Sequence, residues 1–525
     1  MFETAELGRA VAKKDFEAVI PALRVDLVDL QQRLRSADFP VLVLFSGVNG
    51  AGKSETINLL NEWMDPRWIE SSAYQPPSDE ERERPRFWRY WRDVPAKGRL
   101  GLFLSAWYSR PFLDHVYGRT TPAEYDLQLN ECAAFERVLA DDGALILKFW
   151  MHLGRSQQKR RLKALERDPL QRWRITEVDW KHWRMYDRFV EVAEQTIRAT
   201  SIPQAPWQIV EGMDARYRSL AVATTVRDAI SARLAVRTPK GGRLRRRTDP
   251  NGVVPAERAA DAAAAILDGP LHHTVLSDLD MDLTVGKGEY RKELPRLQGR
   301  VNSLFREAKE RGVSLMCVFE GWDASGKGGA VRRLTRALDA RDYRVIPIAA
   351  PNDEEAAHHY LWRFWRQVRR AGRATIFDRS WYGRVLVERV EGLASPLEWR
   401  RAYSEINEFE RQLVGFGIVL AKFWLHITPE EQLRRFEERQ EVEFKRWKLT
   451  DEDWRNREKW ELYERAVQEM VERTSTFDAP WTLVEGNCKR YARLKVLRTV
   501  SDGLEAALRT SGEQKRKKKR RKKNA

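Results

Sequence analysis

Phe319-Glu320-Gly321-Trp322-Asp323-Ala324-Ser325-Gly326-Lys327-Gly328-Gly329 is the stretch whose reading decides the fold. It follows an apolar, β-type run from Val313 to Phe319 and precedes a helix-like segment from Ala330 to Leu338. A strand, a glycine-rich turn closing on Gly-Lys and a helix together form a phosphate cradle. The glycines let backbone N–H groups converge on an anion, the helix N-terminus adds its positive end, and Lys327 adds a full charge. The chain therefore reads first as a phosphate-handling enzyme.

A second such unit lies upstream, Val41-Leu42-Val43-Leu44-Phe45-Ser46-Gly47-Val48-Asn49-Gly50-Ala51-Gly52-Lys53-Ser54, and its lysine stands 274 positions before Lys327. The same offset relates Pro21 to Pro295, Asp79-Glu80-Glu81 to Asp353-Glu354-Glu355, and Trp88-Arg89 to Trp362-Arg363. It also relates Trp107-Tyr108 to Trp381-Tyr382, Arg110 to Arg384, Lys148-Phe149-Trp150 to Lys422-Phe423-Trp424, and Trp207 to Trp481. One offset shared by so many rare residues marks a duplicated globular domain, since the period is far too long for a solenoid.

The boundaries read as a first copy over 1–236, a Gly/Pro/Arg/Ala-rich linker over 237–286 with a short helix at Ala259–Leu267, a second copy over 287–510, and a disordered polybasic tail over 511–525. Within each copy, short unbroken apolar runs alternate with helical patterns, which implies buried parallel strands. The fold expected is α/β: two tandem P-loop kinase-like domains, each a parallel sheet flanked by helices. Arg-rich helices at Arg155–Trp173 and Glu430–Trp447 would form a helical lid on each.

At 525 residues the chain exceeds one average domain. No 18-residue apolar run occurs and Met1-Phe2-Glu3 opens a polar segment, so neither a membrane span nor a signal peptide is expected. Three scattered cysteines, Cys132, Cys317 and Cys488, make neither a disulfide framework nor a metal cluster and fit a reducing, cytoplasmic setting. Nine consecutive basic residues, Lys515 to Lys523, account for +9 of the net charge of +17. Such an arm attracts any polyanion, whether nucleic acid, membrane surface or phosphate polymer, and its plain alternative is a solvated solubility tail.

The two copies differ where chemistry would occur. Gly47-x-x-x-x-Gly52-Lys53-Ser54 matches the full Walker A pattern, whereas the second loop has Gly328 in place of the hydroxyl. Phosphoryl transfer needs a metal bridging phosphates, and magnesium prefers carboxylates and water. The second copy has Asp323 in its loop and Asp378-Arg379-Ser380 at the end of the run Thr375-Ile376-Phe377. The first has Asn49, and Leu104-Ser105-Ala106, at those places. The first copy therefore reads as degenerate and the second as catalytic.

Gly321 to Gly328, with Ala350-Pro351-Asn352-Asp353-Glu354-Glu355, Tyr360-Leu361-Trp362-Arg363 and Asp378-Arg379-Ser380-Trp381-Tyr382-Gly383-Arg384, resembles the second family of polyphosphate kinases across both copies. That resemblance implies transfer of phosphate between inorganic polyphosphate and nucleotides, and in the fused two-domain members from polyphosphate to AMP, giving ADP. It implies Asp323, Lys327, Asp378 and Arg379 as catalytic residues, with Asp323 and Asp378 holding Mg2+, or Mn2+ in its place. Gly321, Ser325, Gly326, Gly328, Arg363, Arg384, Lys422, Arg439 and Arg446 would bind phosphates. The lid departs from the family's pattern: the first copy keeps an Asp168-Pro169 turn where the second has Val442-Glu443. The buried aromatics Trp362, Trp365, Trp381 and Trp424 read as core rather than as base platforms.

Two other readings compete. One is a polyphosphate kinase acting on ADP or GDP, or running toward polymer synthesis. The other is a nucleic-acid-associated P-loop protein anchored by its tail, although no helix-turn-helix, zinc or RNA-binding signature accompanies it. A third option is that the first copy is a binding or dimerising module. The oligomeric state is not written in the sequence.

Overall fold

The computed structural model describes residues 1–236, 273–441 and 451–523. The expected helix at Ala259–Leu267, the Val442-Glu443 lid turn and Arg446 lie outside the described residues. The chain divides into two compact units. The first comprises Met1–Ser78, Arg89–Gly241 and Asn352–Trp362; the second comprises Asp79–Trp88, Gly242–Pro351 and Arg363–Ala525. Each unit thus contains a short arm from the other sequence copy. In the second, the Ala371 N–H donates to Glu83 O at 2.9 Å; in the first, the Lys97 N–H donates to Ala357 O at 2.9 Å. The same 274-residue offset relates these two bonds, so the exchange is reciprocal.

The first unit holds five strands, β1 (Val41–Gly47), β2 (Ile69–Ala73), β3 (Leu100–Leu104), β4 (Leu145–His152) and β5 (Trp207–Glu211). They pair in the order β2-β3-β1-β4-β5, all parallel. The second unit repeats this with β6 (Ser314–Gly321), β7 (Tyr343–Pro347), β8 (Ala374–Asp378), β9 (Ile418–His426) and β10 (Trp481–Glu485). Their order is β7-β8-β6-β9-β10, again all parallel. The interior strands are apolar because helices cover both faces, as the unbroken runs predicted. The edge strands β2 and β7 have no such signature. They alternate between covered and exposed residues, as a strand with one covered and one open face does.

Helical spacing fixes the covering layer. On the helix Lys13–Leu34 the residues Leu23, Leu27, Leu30 and Leu34 face inward, and on Lys287–Glu310 the counterparts are Leu297, Val301, Phe305 and Ala308. All belong to the two main cores. The final helix runs Lys489–Lys523, so the backbone of the basic run is helical where the sequence reading expected a disordered tail from residue 511. The packed turns through Leu508 supply the nucleus, and Lys and Arg are good helix formers that extend it. Among the described residues no helix is long and apolar enough to cross a membrane.

Candidate active site

In the second unit β6 is the central strand, flanked by β8 on one side and β9 on the other. The strand order reverses around it, and ligands of open α/β sheets bind at the carboxyl end of such a strand. The turn that leaves β6 depends on glycine. Gly321 has φ +144°, and a Cβ there would lie 2.4 Å from the carbonyl oxygen of Leu425 on β9. Gly326, at φ +107°, caps the helix Lys327–Thr335. Ala324 is left-handed at φ +61°, a conformation the first copy gives to Gly50. The loop closes on itself through Lys327, whose Nζ donates to Gly321 O at 2.6 Å and Trp322 O at 3.0 Å.

Acids and cations gather around that amine. Register places Asp378, the last residue of β8, beside Phe319 of β6, and the Arg379 N–H donates to Phe319 O at 3.0 Å. Arg379 is left-handed at φ +63°, and its guanidinium lies 3.5 Å from Asp323 Oδ1. Asn456 Nδ2 donates to Asp323 Oδ2 at 2.9 Å and Gln432 Nε2 to Asp323 O at 3.2 Å, so two lid helices, Pro429–Glu441 and Asp451–Glu458, grip the loop. Burial pulls the Lys327 ammonium below its usual pKa. The field of Asp323 opposes this, Arg379 reinforces it, and Asp378 and Glu320 oppose it further. One amine thus senses every charged group that the sequence comparison singled out.

Glu320 was missed by sequence reading, where it looks like the last residue of an apolar strand. Its side chain is buried and accepts a hydrogen bond from Ser380 Oγ at 2.7 Å. Burial raises its pKa, opposed by that hydrogen bond and by Lys327 and Arg379. Asn456 and Gln432 were also missed; neither carries a motif, and only the folded lid brings them to Asp323.

The remaining expected residues lie as follows. Gly328 and the half-buried Gly326 stand at the start of the loop's helix, and Ser325 is buried just before it. Arg363 Nη2 donates to Ala349 O at 3.1 Å. Arg384 is held by Glu388 at 3.1 Å and Glu398 at 3.8 Å. Arg439 ends the lid helix Pro429–Glu441. Lys422 must be corrected: it is not a phosphate ligand but a buried strut, 0% exposed. Its three donors go to Tyr382 OH at 2.9 Å, Glu410 Oε2 at 2.7 Å and Thr474 O at 2.7 Å. Lys148 repeats this with Tyr108, Glu136 and Thr200 in the copy that lacks the acids. A role common to both copies is structural.

The donor set suits a divalent metal of the magnesium kind. Among the described residues no three His, Cys, Asp or Glu side chains form a closed metal cage. Magnesium needs none, since it keeps waters and takes one or two carboxylates together with substrate phosphates. Asp323 and Asp378 are two such carboxylates, one in the loop and one at the end of the neighbouring strand β8.

In the first unit the loop is built alike but furnished otherwise. Lys53 Nζ donates to Gly47 O and Val48 O, both at 2.8 Å, and burial lowers its pKa to about 8. Ser105 is left-handed at φ +56° like Arg379. The loop–lid bond survives with its polarity reversed: Asn49 Nδ2 donates to the lid carboxylate Asp179 Oδ1 at 2.6 Å. Glu55, on the loop's helix, accepts from Arg161 at 2.8 Å, Arg174 at 3.2 Å and Arg218 at 2.6 Å.

A sequence profile described as polyphosphate kinase 2 matches residues 10–237 and again residues 284–512. This chain belongs to the polyphosphate kinase 2 family. It is 48% identical over 508 residues, 97% of this chain and 99% of the relative, to the polyphosphate:AMP phosphotransferase of Pseudomonas aeruginosa. A crystal structure assigned to polyphosphate kinase 2 from Pseudomonas aeruginosa PA01 superposes with a TM-score of 0.84 at 46% identity, covering 97% of this chain and all of that one. A shorter relative, ADP-polyphosphate phosphotransferase 3 of Rhizobium meliloti, is 39% identical over 217 residues, 41% of this chain and 76% of its own length. Kinases of this family are generally dependent on a divalent metal.

Two outcomes follow from the geometry. Lys422→Met and Lys148→Met each strand a buried glutamate, at a cost of about 3–5 kcal/mol, so denaturant titration should show comparable destabilisation of each. A Lys422→Met protein as stable as the parent yet without turnover would return Lys422 to the phosphate site. The second concerns His426, whose Nδ1 accepts from Trp322 Nε1 at 3.0 Å and whose pKa burial lowers to about 4. The unfolded chain takes up this proton near pH 6.5 and the folded chain refuses it until about pH 4. Stability is therefore full above pH 6.5 and falls by up to roughly 3 kcal/mol on acidification through that window. His426→Gln should flatten the profile between pH 7 and 5; an unchanged slope would exclude His426 as its source.

Proposed function

We infer that this chain transfers a phosphoryl group from inorganic polyphosphate to AMP, forming ADP and a polymer one unit shorter, with the chemistry in the second unit. The observation that carries this reading is that β8 brings Asp378 and Arg379 beside the loop that holds Asp323 and Lys327, with Arg379 3.5 Å from Asp323, a set for which the first copy has Asn49, Leu104 and Ser105. The choice of AMP over ADP or GDP rests on the near-full-length likeness to the Pseudomonas enzyme. A polymer of phosphates also suits a chain with a net charge of +17.

In the transfer, an oxygen of the AMP phosphate forms a bond to the terminal phosphorus of the polymer while the bond from that phosphorus to the rest of the chain breaks. Lys327 and the N-terminus of the helix Lys327–Thr335 bind the phosphates and oppose their charge. Mg2+, or Mn2+ in its place, would be held by Asp323 and Asp378, where it would supply positive charge against that of the phosphates. Arg379, held above Asp323 by its left-handed turn, neutralises charge on the transferred group. Asp323 is also the residue that the family resemblance assigns to orienting the attacking oxygen through its carboxylate.

Purified protein incubated with polyphosphate, Mg2+ and AMP, ADP or GDP in parallel should form ADP from AMP fastest, and EDTA should abolish the reaction. Lys327→Ala and Asp378→Ala are each expected to lower kcat by about 10³-fold or more, whereas Lys53→Ala stays within about threefold. Faster phosphorylation of ADP would favour the ATP-forming alternative, and equal loss from Lys53→Ala would overturn the assignment of chemistry to the second unit.

A further inference from the structure

We propose that Glu320 is a positioning residue for this transfer: through its hydrogen bond with Ser380 it fixes the turn that carries Asp378 and Arg379 against the phosphate loop. The proposal rests on the functional reading above and adds to it a residue outside the loop–metal set.

Glu320 is 6% exposed and Ser380 3%. The single proton of the Ser380 hydroxyl goes to Glu320 Oε1 at 2.7 Å, and Ser380 Oγ itself accepts from the Tyr382 N–H at 3.3 Å. The hydroxyl therefore joins three points: the end of β6, the end of β8, and the turn Trp381–Arg384 beyond it. Asp378 and Arg379 are the two residues immediately before Ser380. Pinning Ser380 to β6 at one residue from Gly321 sets how the Asp378 carboxylate and the Arg379 guanidinium stand relative to the loop.

The duplication supplies an internal control. The first copy has Ser46 in place of Glu320 and Ala106 in place of Ser380, so both partners are missing together. Yet its turn still forms, with Ser105 left-handed at φ +56° against +63° for Arg379. The hydrogen bond is therefore not what folds the turn. It restrains a turn that, in the second copy alone, carries two charged groups that must be placed within a fraction of an ångström. A misplacement of about 1 Å in such a site costs on the order of 10²-fold in rate.

The test compares Glu320→Ala, Glu320→Gln, Ser380→Ala and the double variant Glu320→Ala/Ser380→Ala in the full chain, with circular dichroism confirming the fold of each. Glu320→Ala and Ser380→Ala should each lower kcat for ADP formation by about 10- to 100-fold while KM for AMP changes by less than about threefold. Glu320→Gln keeps an oxygen that accepts from Ser380 and should stay within about threefold of the parent. The double variant should be no slower than the slower single variant, because both remove one interaction. Ser380→Ala turning over at the parent rate, Glu320→Gln falling as far as Glu320→Ala, or multiplicative losses in the double variant would each overturn the proposal. A parent protein that forms no ADP from AMP would instead defeat the functional reading, and the comparison would then be run on whichever nucleotide it does phosphorylate.

Discussion

Everything chemical in this chain hangs on how the backbone leaves its central strand. At Gly321 the chain passes so close to Leu425 that no side chain fits, and at Gly326 it turns left-handed into a helix. Those two points bring a helix N-terminus, a lysine and a row of N–H groups to the carboxyl edge of the sheet, at the place where strand order reverses. Parallel pairing then does the rest: β8 ends beside Phe319, two residues before β6 ends at Gly321, so the residue after its last apolar position stands next to the start of the loop. A carboxylate at that position becomes part of the site for reasons of register alone.

This is why so much was legible beforehand. The loop, the duplication, the buried parallel strands and the asymmetry of Asp323 and Asp378 are all encoded locally or by a fixed offset. What escaped is encoded by contact. The edge strands β2 and β7 lack the apolar run that marks their neighbours, because only one face of each is covered. Glu320 sits at the end of a run of apolar residues and gives no sign that Ser380, 60 positions away, is its partner. Asn456 reaches Asp323 from a lid helix whose sequence offers only charge. Lys422 was assigned to phosphate by the family resemblance alone; the glutamate and tyrosine that saturate it lie on other elements.

The duplication separates scaffold from chemistry more cleanly than either copy would alone. The buried lysine–glutamate strut occurs twice with the same partners, so it belongs to the fold. The left-handed residue after β3 and β8 occurs twice, so the turn belongs to the fold as well. The loop–lid hydrogen bond also occurs twice, but with donor and acceptor exchanged: Asn456 gives to Asp323, whereas Asn49 gives to Asp179. The closure is preserved although the loop position of Asp323 holds Asn49 in the first copy; the lid acid Asp179 has its counterpart in Asp453, so only the loop acid is lost.

The first copy also shows why a complete Walker A pattern does not predict which loop handles phosphate. Its helix carries Glu55 where the second has Gly329, and its last helix carries Arg218 where the second has Ala492. Arg218 lies almost wholly buried over Gly52 and binds Glu55, while Arg161 and Arg174 from the lid side bind the same carboxylate. The cations draw the Glu55 pKa below its usual value despite burial that would raise it, so the carboxylate is fully charged at neutral pH and satisfies the arginines from within. In the second copy the counterpart of Arg161, Arg435, pairs with Glu431 of its own helix and binds the carbonyls of Ala324, Ser325, Gly486 and Asn487, and no acid stands at Gly329. An incoming phosphate at the first loop would have to displace an internal anion held by three guanidinium groups, with no carboxylate pair to bring a metal to its aid. The hydroxyl of Ser54 completes the pattern, but pattern is not charge balance, and charge balance is what a phosphate site is made of.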